Sequence, residues 1–518
     1  MLNQGLIPAK WAALTPNRTA IIDIPNNRRI GWAELDRRVR RLANGFAARG
    51  LTIGDRVAVL SRNCIQYKEL YFAAGRAGAV LQPLNWRLSS PAIAELIADA
   101  KPRIVVASEE FREATQALQR LVDIPIWLEY GLGSDGSYEE FLAAASDEEP
   151  AATMKIGAND PFFILYTGGT TGESKGAIHS HRSAATGMLN QTVAERIVPS
   201  DVHMLTGQMY HIPVVLSMNY MKHGCPVVLV NFDARQALEV IAAERVSTFL
   251  GITTMLNWMM AVENFGSFDL SSLRNIQYGG GPMPSNIVRA ALDAFPCGLI
   301  QGYGQTEGTT MAFLSQEDHR DAIRGINARR LRSCGREGFA SSIRLVGPDG
   351  RDIPRDGETP GEIVVRSEAN MIGYFNRPEL SARTLRDGWM WTGDIATWDA
   401  DGYIYVVDRA KDMIISGGEN IFSVQVEDAI AQHPAVLECA VIGVPDDEWG
   451  ESVKAIVVLK PGQSATEREI IDTARLHLAS YQKPKSVDFV SELPKAQTGK
   501  ILKRELRAPY WAERERQV

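Results

Sequence analysis

The sequence predicts an α/β protein: a large N-terminal domain of layered α/β sheets with a β-rich subdomain, followed by a small, mobile α+β C-terminal domain. Three observations lead there. From Thr19 to about residue 121, short apolar runs alternate with helical patterns; after about residue 325 the chain turns to glycine-punctuated β segments; from about residue 411 the tail has a strand and helix pattern of its own. A chain of 518 residues is long enough for two or more sizeable cores.

In chain order, AIID (20–23) reads as a strand, Asn26 and Asn27 as a turn, and Trp32, Leu35, Val39, Leu42 and Phe46 as the apolar face of a helix. The basic run 37–41 lies beside that face and reads as its solvated side. RVAVLS (56–61), a helix near 67–77, GAVLQPL (78–84), RIVVAS (103–108) and a helix near 110–121 continue the alternation. The acidic, alanine-rich stretch ending at SDEEPAAT (146–153) reads as a linker. PFFILY (161–166) is a buried strand, followed by a helix over 182–196 and the strands CPVVLV (225–230) and STFLGI (247–252). IRLVG, GEIVVRS, WMWTGD and GYIYVVDR make the β-rich unit. The tail offers a helix near 424–432, strands ECAVIGV and KAIVVLK, a helix capped by Ser464 and Glu467, and a last strand near Ser486. The expected domains are 1–408 and 409–518, with a hinge near Lys411 in the joint 408–412 and relative motion across it.

Composition narrows the function classes. A net charge of -7 argues against a nucleic-acid partner. Five scattered cysteines without a C-x2-C pair indicate neither a disulfide framework nor a zinc site. No signal-like start and no apolar run near the ~20 residues of a membrane span are present, so a cytoplasmic protein without an integral membrane segment is expected.

The chemistry gathers in five stretches. YTGGTTGESKG (166–176) follows the PFFILY strand, where α/β proteins place ligands. Its Gly168, Gly169 and Gly172 let backbone N–H groups face one anion; Thr167, Thr170 and Thr171 add hydroxyls and Lys175 a charge. The spacing is not that of a P-loop NTPase, and alone it also fits a surface loop. GGGP offers bare backbone at Gly279, Gly280 and Gly281 before Pro282, either a platform for something flat or a tight turn. In QGYGQTEGT, Tyr303 stands between Gly302 and Gly304 after Gln301 and can stack on a base, while Thr306 and Glu307 can reach a phosphate and its Mg2+. Asp394 and Arg409 are an acid and a base able to grip ribose hydroxyls, or a surface ion pair. Lys500, in QTGK, sits in a basic tail with Lys503, Arg504 and Arg507, where a solvated lysine is the plain alternative.

Taken in order, YTGGTTGESKG, GGGP, GYGQTE, WTGD, DRAKDMIISGGENI and TGK resemble the motif series of the adenylate-forming superfamily, over essentially the full chain. Within it the chain looks most like stand-alone fatty-acid and 4-coumarate type CoA ligases. The resemblance implies the substrates ATP, coenzyme A and a small-molecule carboxylic acid, with Mg2+, and it leaves room for a homodimer. It implies that the loop with Thr167 and Lys175 holds the β,γ-phosphates, Thr306 the α-phosphate and Glu307 the metal. Gly280, Gly281 and Tyr303 would border adenine, and Asp394 and Arg409 the ribose. Lys500 would bridge the carboxylate and the α-phosphate, Lys411 would be the hinge, and Gly417 and Gly418 would leave room for pantetheine. His211 matches the histidine beside the acyl site.

By position, Tyr210, His211, Pro213, Val214, Ser217, Met218, Gly279 and Gly281 would line that acyl site. The set is mostly apolar and holds no basic residue able to pair with a second carboxylate, which suits a medium or long acyl chain or an aryl ring. Against the family pattern, Gly168 stands for a common serine, Ser174 for proline, Gln208 for proline, and Ser423 and Gln425 for proline and glutamate. His179 and His181 read as helix-entry residues rather than metal ligands. Loading of a separate carrier protein instead of CoA is the alternative activity; a nucleotide-binding regulator without chemistry is the alternative class.

Overall fold

The computed structural model describes residues 2–131, 136–167, 174–281, 283–409, 412–417, 419–495 and 501–512. The chain divides into two compact units: Met1–Ser342 with Val365–Met390, and Ile343–Val364 with Trp391–Val518.

Two sheets organise the first unit. One has nine strands in the spatial order Arg336–Glu337, Thr309–Leu314, Gly298–Gln305, Asn275–Gly279, Thr248–Leu250, His203–Leu205, Val227–Leu229, Thr19–Asp23 and Arg28–Gly31. Its inner six strands are parallel and its edges antiparallel. The other has seven: Gly373–Tyr374, Lys175–Ser180, Pro161–Thr167, Val80–Pro83, Arg56–Leu60, Ile104–Ser108 and Ile126–Tyr130. Here the last five are parallel and the first two antiparallel.

Both sheets obey the two-residue period of a strand. Ile21, Leu205, Val227 and Leu229 of the first share one core with Val57, Val59, Ile104 and Val106 of the second. Their neighbours Ile22, Met204 and Val228, and likewise Ala58, Leu60 and Val105, face outer cores covered by other helices. The helix Ile65–Ala77 contributes Tyr67, Leu70, Tyr71 and Phe72 to the shared core and is buried almost all round, as an apolar helix between sheets must be.

Several expectations are corrected. The stretch read as a linker is packed: the helix Ser137–Ala143 buries Tyr138, Phe141 and Leu142, and Glu149 accepts from Arg76 Nε at 2.9 Å. Apolar residues spaced along one helical turn outweigh the acidic composition around them. Arg38 is not solvated, because its guanidinium bonds both the buried Glu69 (2.6 Å) and Glu139 (2.6 Å). The capped tail helix is Glu467–Arg475, with Thr466 and Glu469 forming the box two residues beyond the expected pair. TxxE and SxxE overlap in SATERE, and local spacing cannot choose between them.

The β-rich sheet has the order Ser342–Val346, Gly361–Arg366, Trp389–Trp398 and Leu385–Arg386, with Ile404–Arg409 also paired to Trp389–Trp398. The tail makes a five-stranded sheet of Glu419–Ile421, Ile414–Ser416, Gly450–Leu459, Val436–Asp446 and Ser486–Phe489. Ile414, Val426, Ile430, Val441 and Val453 fill one of its faces, and Ala440, Ile442 and Ile456 the other.

Gly279 pairs with Gly302 on the next parallel strand, and a Cβ on Gly279 would lie 2.2 Å from the Gly302 carbonyl oxygen. Two strand backbones cannot part cheaply, so Gly279→Ala should cost about 1–3 kcal/mol in denaturant unfolding. Gly281→Ala, which meets nothing within 4 Å, should stay within about 0.5 kcal/mol of the parent. Equal effects of the two would contradict this packing.

Candidate active site

Pro161–Thr167 and Lys175–Ser180 form an antiparallel pair whose last rung is Thr167 opposite Lys175. That rung brings together the two ends of the glycine-threonine loop. Gly168, Gly169, Thr170, Thr171 and Gly172 lie outside the described residues. Across Lys175–Ser180, the short strand Gly373–Tyr374 adds itself antiparallel. The Tyr374 hydroxyl donates to Glu307 Oε1 at 2.7 Å, and Lys175 Nζ stands 5.9 Å from the centre of the Tyr374 ring, within cation–π range. Burial, with the Glu307 carboxylate beside it, pushes the Tyr374 phenol up, so the hydroxyl keeps its proton as donor.

The backbone of Thr306 and Glu307 is held as well. Met371 N donates to the Glu307 carbonyl (2.7 Å), and His179 Nε2 donates to the Thr306 carbonyl (2.7 Å). A carbonyl can only accept, so Nε2 carries the proton; burial pushes the ring down to about 4 and keeps it neutral. His179 and His181 flank Ser180, the N-cap of the helix His181–Glu195, as helix-entry residues. Lys175, Thr306 and Glu307 thus converge, through Tyr374, which the sequence reading passed over. Its setting, MIGYFNR, carries a Gly-Tyr pair like Gly302-Tyr303 but no spacing that singles it out.

Gly280 has φ 78° and, with Gly281, open space where a side chain would stand. Pro282 lies outside the described residues. The glycines beside Tyr303 have a different cause. A Cβ on Gly304 would sit 1.8 Å from the Thr309 carbonyl oxygen, and one on Gly302 would crowd Thr310 and Gln277. Strand packing alone therefore requires both. Gln301 Oε1 accepts from the Tyr278 hydroxyl at 3.3 Å.

The turn before the helix Pro213–Lys222 is fixed at three points. Met209 N donates to Asn63 Oδ1 (3.0 Å), the Tyr71 hydroxyl to the Met209 carbonyl (2.8 Å) and Trp86 Nε1 to Gln208 Oε1 (3.2 Å). The last bond gives Gln208 a task in the place of proline. Tyr210 meets the His211 ring edge-on at 4.5 Å, and burial, helped by Arg87, pushes His211 down to about 4. Pro213 opens the helix at its first position, where its missing N–H is not needed. Val214, Ser217 and Met218 are fully buried in the core shared with Tyr67 and Tyr71. There Lys68, also fully buried, donates to Ser217 Oγ and, at 3.5 Å, to the Val214 carbonyl. None of the residues named for the acyl lining is basic, but Lys68 from the helix Ile65–Ala77 stands against one of them, Ser217. Its sequence signal is a lysine whose helical neighbours Cys64, Ile65, Tyr71 and Phe72 are all apolar.

In the second unit, Asp394 and Arg409 face each other across the strand pair, with Arg409 Nε 3.0 Å from Asp394 Oδ1. Asp394 is buried while Arg409 is part-exposed. Asp408 accepts from Ser423 N (2.6 Å) and Oγ (2.7 Å), and Asp412 accepts from Arg507 (2.8 Å). Lys411, between these two anchors, lies outside the described residues, as do Gly418 and Lys500. An isolated bridge joins Lys495 to Ile501, on either side of 496–500. The basic tail is not a solvated run, since Lys503 pairs with Glu427 at 2.7 Å and Arg507 with Asp412. Gly417 takes φ 60°, and a Cβ there would be 2.5 Å from the Trp449 ring, so the room beside Gly417 is taken by the indole.

Residues 8–375 match the family model described as AMP-binding enzyme, and residues 425–500 that described as AMP-binding enzyme C-terminal domain. The chain belongs to the AMP-binding enzyme family. Among AMP-binding relatives, a feruloyl-CoA synthase of Amycolatopsis sp is 39% identical over 98% of this chain and 99% of its own. A long-chain-fatty-acid–CoA ligase of Mycobacterium tuberculosis is 33% identical over 99% of both chains. The ATP-bound MatB protein of Rhodopseudomonas palustris superposes with a TM-score of 0.86 at 29% identity, over 98% of this chain and 99% of that one. The mixed α/β architecture is therefore that of the AMP-binding enzymes. Among the described residues, no helix is long and apolar enough to cross a membrane.

Burial holds four imidazoles neutral: His179, His181 and His211 are pushed down to about 4 and His203 to about 3. In the unfolded chain they titrate near ~6.5. Their folded pKa values are the lower ones, so this part of the stability is complete above ~6.5 and is lost as pH falls toward 4. The melting temperature should decline steadily over that window; a level profile down to pH 4 would show that the rings are not buried as described.

Proposed function

We propose that this chain is an ATP-dependent acyl-CoA ligase that activates a medium- or long-chain fatty acid or an aromatic, phenylpropanoid-like acid. It makes the acyl-AMP, then passes the acyl group to coenzyme A, with release of pyrophosphate and AMP. The observation that carries the reading is the line Lys175, Tyr374, Glu307 beside the closed ends of the glycine-threonine loop. Membership in the AMP-binding family and the names of its CoA ligase relatives support it.

A carboxylate repels a thiolate, so it must first become a mixed anhydride. One carboxylate oxygen of the acid attacks the α-phosphorus of ATP, and pyrophosphate leaves. The Lys175 ammonium and the hydroxyls of Thr167, Thr170 and Thr171 would hold the departing phosphates. Thr306 and Lys500 would meet the charge gathering at the α-phosphate, where loss of one donor typically costs about 100- to 1000-fold. Tyr374 takes one oxygen of Glu307 and leaves Oε2 for Mg2+, a fit to an ion that takes one or two carboxylates and completes its shell with phosphate and water. Bound there, Mg2+ would neutralise phosphate charge. Asp394 and Arg409 would hold the ribose, and Gly280, Gly281 and Tyr303 the adenine.

In the second step the thiol sulfur attacks the acyl carbonyl, loses its proton and displaces AMP. The proposed division into 1–408 and 409–518 lets a turn at Lys411 withdraw Lys500 and bring the 416–421 segment to the acyl group. His211, neutral in its buried setting, would stand beside that carbonyl. The proposed location is the cytoplasm.

Lys500→Ala should abolish ATP–pyrophosphate exchange yet still convert presynthesised acyl-AMP and free CoA to thioester; equal loss of both half-reactions would remove the role given to Lys500. Lys175→Ala should likewise slow adenylation and spare the thioester step. For Tyr374→Phe we expect exchange lowered about 10- to 100-fold and partly restored by extra Mg2+. No change with Tyr374→Phe would mean that the hydrogen bond to Glu307 does not position the carboxylate.

A further inference from the structure

A groove of about 360 Å3 is lined by the helices Ile7–Leu14, His181–Glu195 and Pro213–Lys222, and it shares no residue with the proposed acyl lining. That volume lies within the ~300–1,000 Å3 usual for small-ligand clefts. Its walls are largely apolar: Trp11 from the first helix, Met188 and Leu189 from the second, and Pro199 from the chain beyond. The Trp11 indole N–H donates to the Lys222 carbonyl at 3.2 Å, so what the ring has left to offer is apolar. Leu189 and, one helical turn on, Val193 are exposed and carry the apolar wall out to the surface.

Most polar atoms of the lining satisfy one another. The Thr192 hydroxyl donates to the Met188 carbonyl (2.9 Å) and accepts from Asn219 Nδ2 (3.1 Å), with His223 Nε2 3.0 Å away. The ammonium groups of Lys10 and Lys222 are the exception. Lys10 Nζ stands 4.8 Å from the centre of the Trp11 ring, and among the described residues neither lysine is paired with a carboxylate. Arg18, likewise without an acidic partner, donates to the Pro199 carbonyl at 2.7 Å. No carboxylate lines the groove. In a chain of net charge -7 this is a local excess of positive charge. Its neighbours register that excess: burial, then the nearby Lys10, pushes the Lys222 ammonium down, and burial, Lys222 and Lys10 push His223 down against a pull from Asp201. An anion held there would relieve both.

We propose that this groove binds one molecule of an amphiphilic anion, a linear alkyl chain with a single anionic head. The chain lies along Trp11, Met188 and Leu189, where the unbranched methionine adapts to its outline, and the head meets Lys10 and Lys222. The inference does not depend on the ligase reading. A concave lining favours a single molecule over a flat bilayer, and a two-fold contact with a second copy would set these unpaired cations against their own counterparts.

The test is calorimetric titration of the full chain, without ATP or coenzyme A, with decanesulfonate below its micelle-forming concentration; the probe has no carboxylate to activate. Decanol, decyltrimethylammonium and propanesulfonate are the controls, and Lys10→Gln with Lys222→Gln, and Leu189→Glu at an exposed position, are the variants. Decanesulfonate should bind about 10-fold or more tightly than any control. The double lysine variant should weaken it about 3- to 30-fold, and Leu189→Glu about 10-fold or more, by placing a carboxylate beside the chain. Unchanged affinity in both variants overturns the inference, because the sulfonate then sits elsewhere, the acyl pocket included. So does a failure of decanesulfonate to bind, or equal binding of decanol, which needs no cation, or of propanesulfonate, which needs no groove. Attachment to phosphatidylglycerol vesicles without binding of monomeric decanesulfonate would give the face to a membrane and overturn it. A dimer in sedimentation that Leu189→Glu disperses would give it to a second copy and overturn it as well.

Discussion

The site depends on a strand addition. Gly373–Tyr374 pairs with Lys175–Ser180, which itself pairs with Pro161–Thr167. Through those two ladders, residues nearly two hundred positions apart are set side by side, and one hydroxyl, that of Tyr374, reaches Glu307 at 2.7 Å. Backbone hydrogen bonds do the placing and the side chain only completes it. The lysine proposed to grip phosphate and the carboxylate proposed to hold Mg2+ would need fixed spacing, because electrostatic stabilisation works only when donors are held before the charge develops.

The same economy governs the glycines. Gly280 and Gly281 leave open backbone, as a nucleotide platform would need, whereas Gly279, Gly302 and Gly304 are glycines because neighbouring strands lie too close for a Cβ. One motif thus mixes two causes. In the second unit Asp408 and Asp412 are tied to Ser423 and Arg507 on either side of Lys411, so a turn at that residue would work between two anchored points.

Elements with a strong period were legible in the sequence. Thr19–Asp23, Arg56–Leu60, Ile104–Ser108 and Pro161–Thr167 stand where apolar runs placed them, and Ile65–Ala77 and His181–Glu195 where helical spacing did. Composition misled where a few apolar residues decide the outcome, as with Tyr138 and Phe141 in the acidic stretch taken for a linker. Charge misled likewise at Arg38, Lys503 and Arg507, whose partners lie far off in sequence. The motif residues Lys175, Thr306 and Glu307 were visible because their loops are rich in glycine and hydroxyls. Tyr374 was not, because what makes it a functional candidate is a partner brought in by the fold, Glu307; nor was the buried placing of Lys68, whose partner Ser217 also comes from another helix.

In the ligase reading, adenylation is a complete reaction that precedes the thiol. Its most direct test is to incubate the enzyme with ATP, Mg2+ and an aryl acid, follow pyrophosphate exchange without coenzyme A, then add coenzyme A and identify the nucleotide released. Exchange is expected before coenzyme A is present, and AMP, pyrophosphate and acyl-CoA in equal amounts after it. Release of ADP and phosphate, or exchange that waits for coenzyme A, would contradict that reading.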